Sequence, residues 1–141
     1  MSAAAFDIDS FLAKPLVARL ATNGPTIRPV WFLWEDGAFW IITGEWSGLP
    51  ARLATDSKVS LVVDTCDLTS GEVLQVTVTG IASIEPYDDE KAYRKLSRYL
   101  GPDRTTWPSR FAAPPTSTTA MVQVVPNRMT TRDLSYRWPT A

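Results

Sequence analysis

Residues 27–34 read Ile-Arg-Pro-Val-Trp-Phe-Leu-Trp, a run of strand length that offers solvent no polar face. Side chains alternate sides along an extended chain, so Ile27, Pro29, Trp31 and Leu33 share one face and Arg28, Val30, Phe32 and Trp34 the other. A strand with one wet face alternates apolar and polar residues. This one calls for cover on both: a barrel core on one side, and a partner subunit or a flat ligand on the other. Its single charge, Arg28, then needs a carboxylate or a ligand phosphate opposite it.

The surrounding sequence supplies the rest of a small barrel. Asp36-Gly37 is a two-residue hairpin signal leading into a strand at 38–43. Ser47 reads as the N-cap of a short helix to about residue 55, with Pro50 in the first turn, where a missing N–H costs little. Further strands are expected at 16–21, 58–64, 75–84 and 120–125, with another short one at 128–131. Gly80 marks a bulge in the long one. A first helix covers 4–13 and stops at Pro15. A second opens near Pro86 with Asp88-Asp89-Glu90 and runs to Leu100, with Lys91, Arg94, Lys95 and Arg98 toward its C-terminal side. That charge pattern reads as a solvated structural helix, and Tyr87, Tyr93 and Tyr99 as structural residues. Residues 101–119, rich in Pro, Ser and Thr, form a long loop with one turn around 107–111, of the kind that lines sites. The expectation is one domain, residues 1–141, mainly β (α+β). It would hold six or seven antiparallel strands and two or three peripheral helices.

Composition removes whole classes of chemistry. The chain has no histidine, which excludes Ser-His-Asp and Cys-His catalysis, the usual zinc sites and histidine proton shuttles. Its one cysteine, Cys66, allows no internal disulfide and no multi-cysteine metal site. No metal site is expected. A net charge of −1 lacks the basic footprint of a nucleic-acid binder. No apolar run approaches the roughly 20 residues that cross a bilayer, and the N-terminal stretch has neither a basic n-region nor a long apolar h-region. A cytoplasmic protein is expected.

Chemistry must therefore come from carboxylates, Arg, Lys, Tyr, Ser or Thr, or from a borrowed cofactor. In the loop 43–49 the N–H groups of Gly48 and Leu49, the Ser47 hydroxyl and the helix dipole could together hold a phosphate, or form a plain N-cap. Arg28 is a second candidate, with Arg52 and Arg19 as further cations. Gln75 could meet the edge of a heteroaromatic ring or a cross-strand partner. Six tryptophans suit stacking on a flat ligand or a dimer seam, with at least three expected to be packing alone.

The ordered set L-A-T-N-G-P-T-I-R-P-V-W-F-L-W-E-D-G, I-I-T-G-E-W-S, R-L-A-T-D-S-K-V-S-L-V-V-D and Q-V-T-V-T-G-I-A resembles the pyridoxamine 5′-phosphate oxidase-like superfamily of flavin-binding split barrels, over residues 6–131. The resemblance implies a split β-barrel and a homodimer with two flavins in clefts between subunits. It sets Arg28, Pro29, Val30, Trp31 and Phe32 along the flavin and its phosphate, Ile42 and Thr43 on the next strand, Ser47 at the phosphate and Gln75 near the ring. Trp107 and Trp138 of a partner would close the cleft. One departure stands out: the Lys-containing pair that usually follows this serine is replaced by Gly48-Leu49. A lost charge-assisted contact costs about 1.5–3 kcal/mol, roughly ten- to a hundredfold in affinity. Arg28, Arg52 or a partner arginine could compensate. Three outcomes follow: an FMN-dependent oxidoreductase acting on a small molecule; a reductase using a deazaflavin coenzyme, with Arg98, Arg104 and Arg110 receiving its acidic tail; or a module that binds a planar ligand without turnover.

Overall fold

The computed structural model describes residues 4–140. Seven strands, β1 (Val17–Thr22), β2 (Thr26–Trp31), β3 (Leu33–Glu35), β4 (Ala38–Thr43), β5 (Lys58–Cys66), β6 (Val73–Pro86) and β7 (Ala120–Asp133), form one sheet. Its order is β2-β1-β5-β6-β7-β4-β3, with every neighbouring pair antiparallel. β2 and β3 lie at opposite edges of this sheet, yet only Phe32 separates them in the chain. A flat sheet cannot satisfy that constraint. It curls until its edges approach, which gives a mainly β half-barrel with peripheral helices.

The expected continuous strand 27–34 is thus two strands, and the reason lies in the main chain of Phe32. Its N–H donates to the Tyr99 hydroxyl at 3.1 Å, and its carbonyl accepts from the Arg98 guanidinium at 2.8 Å. Side chains of a helix replace the ladder at this one residue, and the strand changes partner there. Phe32 and Leu33 are both buried in succession. The two-sided cover expected of the run is not complete within one chain: Ile27 is 68% exposed and Pro29 is exposed as well.

Alternation builds the core. Along β5 the residues Val59, Leu61 and Val63 are buried while Lys58, Ser60 and Asp64 are exposed. They meet Leu20, Phe39, Val76, Val78, Val122 and Val124 inside the barrel. The two strands expected at 120–125 and 128–131 are one strand of 14 residues, because its partner β6 also has 14. Register slips between Thr79 and Gly80, where Asn127 is passed over. A Cβ at Gly80 would stand 2.5 Å from the Val125 carbonyl oxygen, so the expected bulge requires glycine.

Four helices surround the sheet where two or three were expected: α1 (Ile8–Leu12), α2 (Leu49–Thr55), α3 (Asp89–Leu100) and the single turn α4 (Ser109–Ala112). Asp88 caps α3 by accepting from the N–H groups of Glu90 and Lys91. From the other end of α3, Arg98 donates to the carbonyls of Leu12, Ala13, Lys14 and Phe32. One side chain thereby ties α1 and the β2–β3 break to the helix. No helix among the described residues is long and apolar enough to cross a membrane.

Candidate functional site

Beside the β2–β3 break lies a cleft of about 740 Å³. β2 supplies Arg28, Pro29, Val30 and Trp31, and β4 supplies Ile42 and Thr43. The turn after β4 adds Trp46, Ser47 and Leu49, α3 adds Lys95 and Leu96, and the 101–119 loop adds Arg110, Phe111 and Pro114. Eight of the expected site residues thus share one wall system: Arg28, Pro29, Val30, Trp31, Ile42, Thr43, Ser47 and Leu49. Phe32 is buried in the barrel core instead. Gly48 turns the chain beside the cleft without lining it. Arg52 points back to the Asn23 carbonyl at 3.4 Å, and Gln75 lies on β6 between Asp64 and Arg132, away from this cleft.

The phosphate loop is wired differently from its sequence reading. A 3₁₀ turn (Glu45–Ser47) precedes α2, and Gly48, at φ +70°, is the residue that caps the helix. The Ser47 hydroxyl donates to the Gly44 carbonyl at 3.0 Å. It accepts from the Leu49 N–H at 3.1 Å and from the Thr43 hydroxyl at 2.7 Å. One proton and two lone pairs are all a hydroxyl has, so this group is fully committed inside the chain. The Leu49 N–H is committed with it. At this φ a lysine in place of Gly48 would cost about 1 kcal/mol where glycine costs none.

Arg28 remains available. It donates one N–H to the Ser47 carbonyl at 2.8 Å, which fixes its direction along the cleft wall and leaves other donors on the guanidinium. Trp31 stacks on Tyr99 (ring centroids 4.3 Å apart, 1° between planes) and on Phe111 (5.2 Å, 10°). The long loop therefore reaches the cleft through Phe111. Trp46 is 70% exposed at the cleft rim, folded against Gly44, whose Cβ would collide with the indole at 2.4 Å.

The other expected cations and tryptophans have partners of their own. Arg19 pairs with Asp64 at 2.6 Å, and Arg104 pairs with Asp89 at 3.2 Å. Arg98 is held by four carbonyls, so of the three arginines expected for an acidic tail only Arg110 lines the cleft. Trp107 is buried in its own chain with its N–H on the Gly101 carbonyl, which removes it from the expected contact with a partner. Trp138 is 57% exposed and donates to the Leu68 carbonyl. Trp34, Trp40 and Trp107 serve packing, as expected of at least three.

Sequence reasoning missed Lys95. The charge pattern predicts a solvated lysine here, yet Lys95 is 5% exposed and lines the cleft. Burial pulls its ammonium down to about 8, and the Arg98 charge pushes the same way. Burial also raises the neighbouring Tyr87 phenol, whose hydroxyl donates to Asp89 at 3.3 Å. Helical spacing held a signal: Lys95 falls three and four residues from Ala92 and Lys91, and Ala92 is buried on that face.

The model of the pyridoxamine 5′-phosphate oxidase family matches residues 7–132. Among curated proteins none matches the chain in sequence. Solved structures share the fold. A conserved hypothetical protein from Mycobacterium tuberculosis aligns over 100% of this chain and 94% of its own, at 19% identity and a TM-score of 0.76. A FAD-binding protein from Mesorhizobium loti aligns over 94% and 96%, at 17% and 0.65. An F420 reductase aligns over 86% and 94%, at 24% and 0.61. With its half-barrel, its β2–β4 cleft and a family match across most of its length, the chain belongs to the pyridoxamine 5′-phosphate oxidase family.

Proposed function

We propose that this protein is a flavin-dependent oxidoreductase that takes FMN in the cleft between β2, β4, α3 and the 101–119 loop, and that it works as a homodimer on a small-molecule substrate. The observation that carries the proposal is one of coincidence. Seven residues that the resemblance sets along a flavin, Arg28 to Trp31 with Ile42, Thr43 and Ser47, line a single cleft whose volume lies within the roughly 300–1,000 Å³ of small-molecule sites.

The cleft's chemistry fits such a guest. Val30, Trp31, Ile42 and Phe111 give apolar and aromatic surface for a flat ring system, and Thr43 and Trp46 add polar edges. Arg28, Lys95 and Arg110 line the cleft and no aspartate or glutamate does, although the whole chain carries a net charge of −1. An anionic cofactor is therefore favoured over a neutral one. Arg28, directed by the Ser47 carbonyl, would hold the phosphate in place of the Ser47 hydroxyl. A bound flavin supplies hydride or electron transfer itself. The chain's own part is to orient the ring, supply hydrogen bonds and exclude water, and no histidine is needed for that. The exposed Ile27 of β2, beside the cleft residues Arg28 and Pro29, suits burial against a second copy.

The test is an FMN titration of the purified protein followed by reduction with a nicotinamide. Saturable uptake of one FMN per chain, then bleaching on reductant, is the expected result. Colourless protein without measurable FMN affinity contradicts it. The fold shared with an F420 reductase supports a second reading, a deazaflavin coenzyme whose acidic tail meets Arg110. Titrating both cofactors in one assay separates the two.

A further inference from the structure

Among the described residues Lys95 is the one buried cation that the fold does not use. It is 5% exposed, and no hydrogen bond or ion pair reaches it among the described residues. The charge that acts on it within the chain is Arg98, of the same sign. Every fully enclosed side-chain nitrogen or oxygen among the described residues has a partner. The Lys95 ammonium, which has none, must therefore touch the cleft rather than the closed interior. The same cleft is lined by Leu96, Tyr87, Trp31 and Phe111, with Arg28 and Arg110 as its other charges.

A lysine held like this is costly. Burial of an ammonium without a counter-charge is among the least favourable arrangements a fold can retain. Its neighbours on α3 avoid the cost by different means. Arg94 forks onto Glu35 at 2.7 and 2.8 Å, Arg98 meets main-chain carbonyls, and Lys91 lies 3.8 Å over the Trp40 ring. Only Lys95 faces the cleft without compensation from the chain.

We propose that Lys95 is an anion-binding residue of the cleft, and that it recognises a phosphate or carboxylate oxygen of the bound small molecule. It supplies from α3 the positive charge that Gly48 and Leu49 cannot supply from the loop before α2. Two cations on different walls, Arg28 on β2 and Lys95 on α3, then make charge a selection rule for what enters. The inference rests on this cleft being a small-molecule site, and not on the guest being a flavin.

The experiment compares the full-length wild type with Lys95→Met, which keeps side-chain length and removes charge. FMN and riboflavin, which differ only in the phosphate, are titrated into both proteins, and melting temperature is recorded with and without inorganic phosphate. Lys95→Met should melt no lower than the wild type, which shows that it folds. It should lose about ten- to a hundredfold in FMN affinity, with riboflavin unchanged. Phosphate should raise the melting temperature of the wild type and leave that of the variant unmoved. Unchanged FMN affinity in the variant overturns the proposal, as does an equal loss for both flavins. If the wild type takes up neither flavin, flavin binding is refuted, and the phosphate arm decides for Lys95 alone. A phosphate shift confined to the wild type upholds its role. Equal shifts, or none, end it.

Discussion

Lys95 and Arg98 sit three residues apart on α3 and carry the same charge, yet their surroundings differ completely. Arg98 spreads its guanidinium over the carbonyls of Leu12, Ala13, Lys14 and Phe32. Lys95 meets no acceptor among the described residues and opens onto the cleft. A planar fork with five donors suits several fixed carbonyls, whereas an ammonium is a point charge that waits for one oxygen. The contrast separates architecture from site. One cation closes the barrel at its break, and the other is left over for a guest.

The strongest way to break this contrast is Arg98→Met. It strands carbonyls at the β2–β3 break and should cost about 3–5 kcal/mol, a melting temperature lower by roughly 10 °C or more. A loss below about 1 kcal/mol would show that the clasp is incidental.

Lys95→Met should move stability the other way, up by about 3 kcal/mol near neutral pH, because a buried charge is removed. The pH dependence has a definite sign. Below about 8 the lysine is charged in both folded and unfolded chains, and the folded state carries the desolvation cost. Between about 8 and 10.5 the folded chain has lost a proton that the unfolded chain still binds, so stability rises with pH. The gap between wild type and variant should narrow across that window in denaturant melts. A gap independent of pH would mean that Lys95 is not desolvated.

Gly48→Lys sharpens the comparison at the loop. It places a cation where the family resemblance implies one, at about 1 kcal/mol for the left-handed turn, with open space around the new Cβ. A gain of roughly tenfold in FMN affinity is expected if a phosphate passes this loop. No gain would put the phosphate at Arg28 and Lys95 alone.

Much of this was legible in the sequence because local rules governed it. Val59, Leu61 and Val63 alternate with polar residues, Asp36-Gly37 turns a hairpin, and Gly80 sits where a side chain has no room. The cleft wall along β2 followed from a strand that lacks a polar face, and Ile42 and Thr43 on β4 from the family resemblance. Other features depend on contacts far apart in the chain. The break at Phe32 is made by Tyr99 and Arg98, 67 and 66 residues away, and no local signal encodes it. Ser47 looked like a free cap, but its hydroxyl is consumed by Thr43, Gly44 and Leu49 once the 3₁₀ turn forms. Lys95 looked solvated because charge patterns on helices usually are. Only the packing of α3 against the cleft shows otherwise.

The central claim is that this cleft binds an anionic flavin, and calorimetric titration of FMN against riboflavin tests it most directly. One FMN per chain, bound at least tenfold more tightly than riboflavin, is the result expected of a cleft lined by Arg28, Lys95 and Arg110 without a carboxylate. No heat and no saturation with FMN would contradict it.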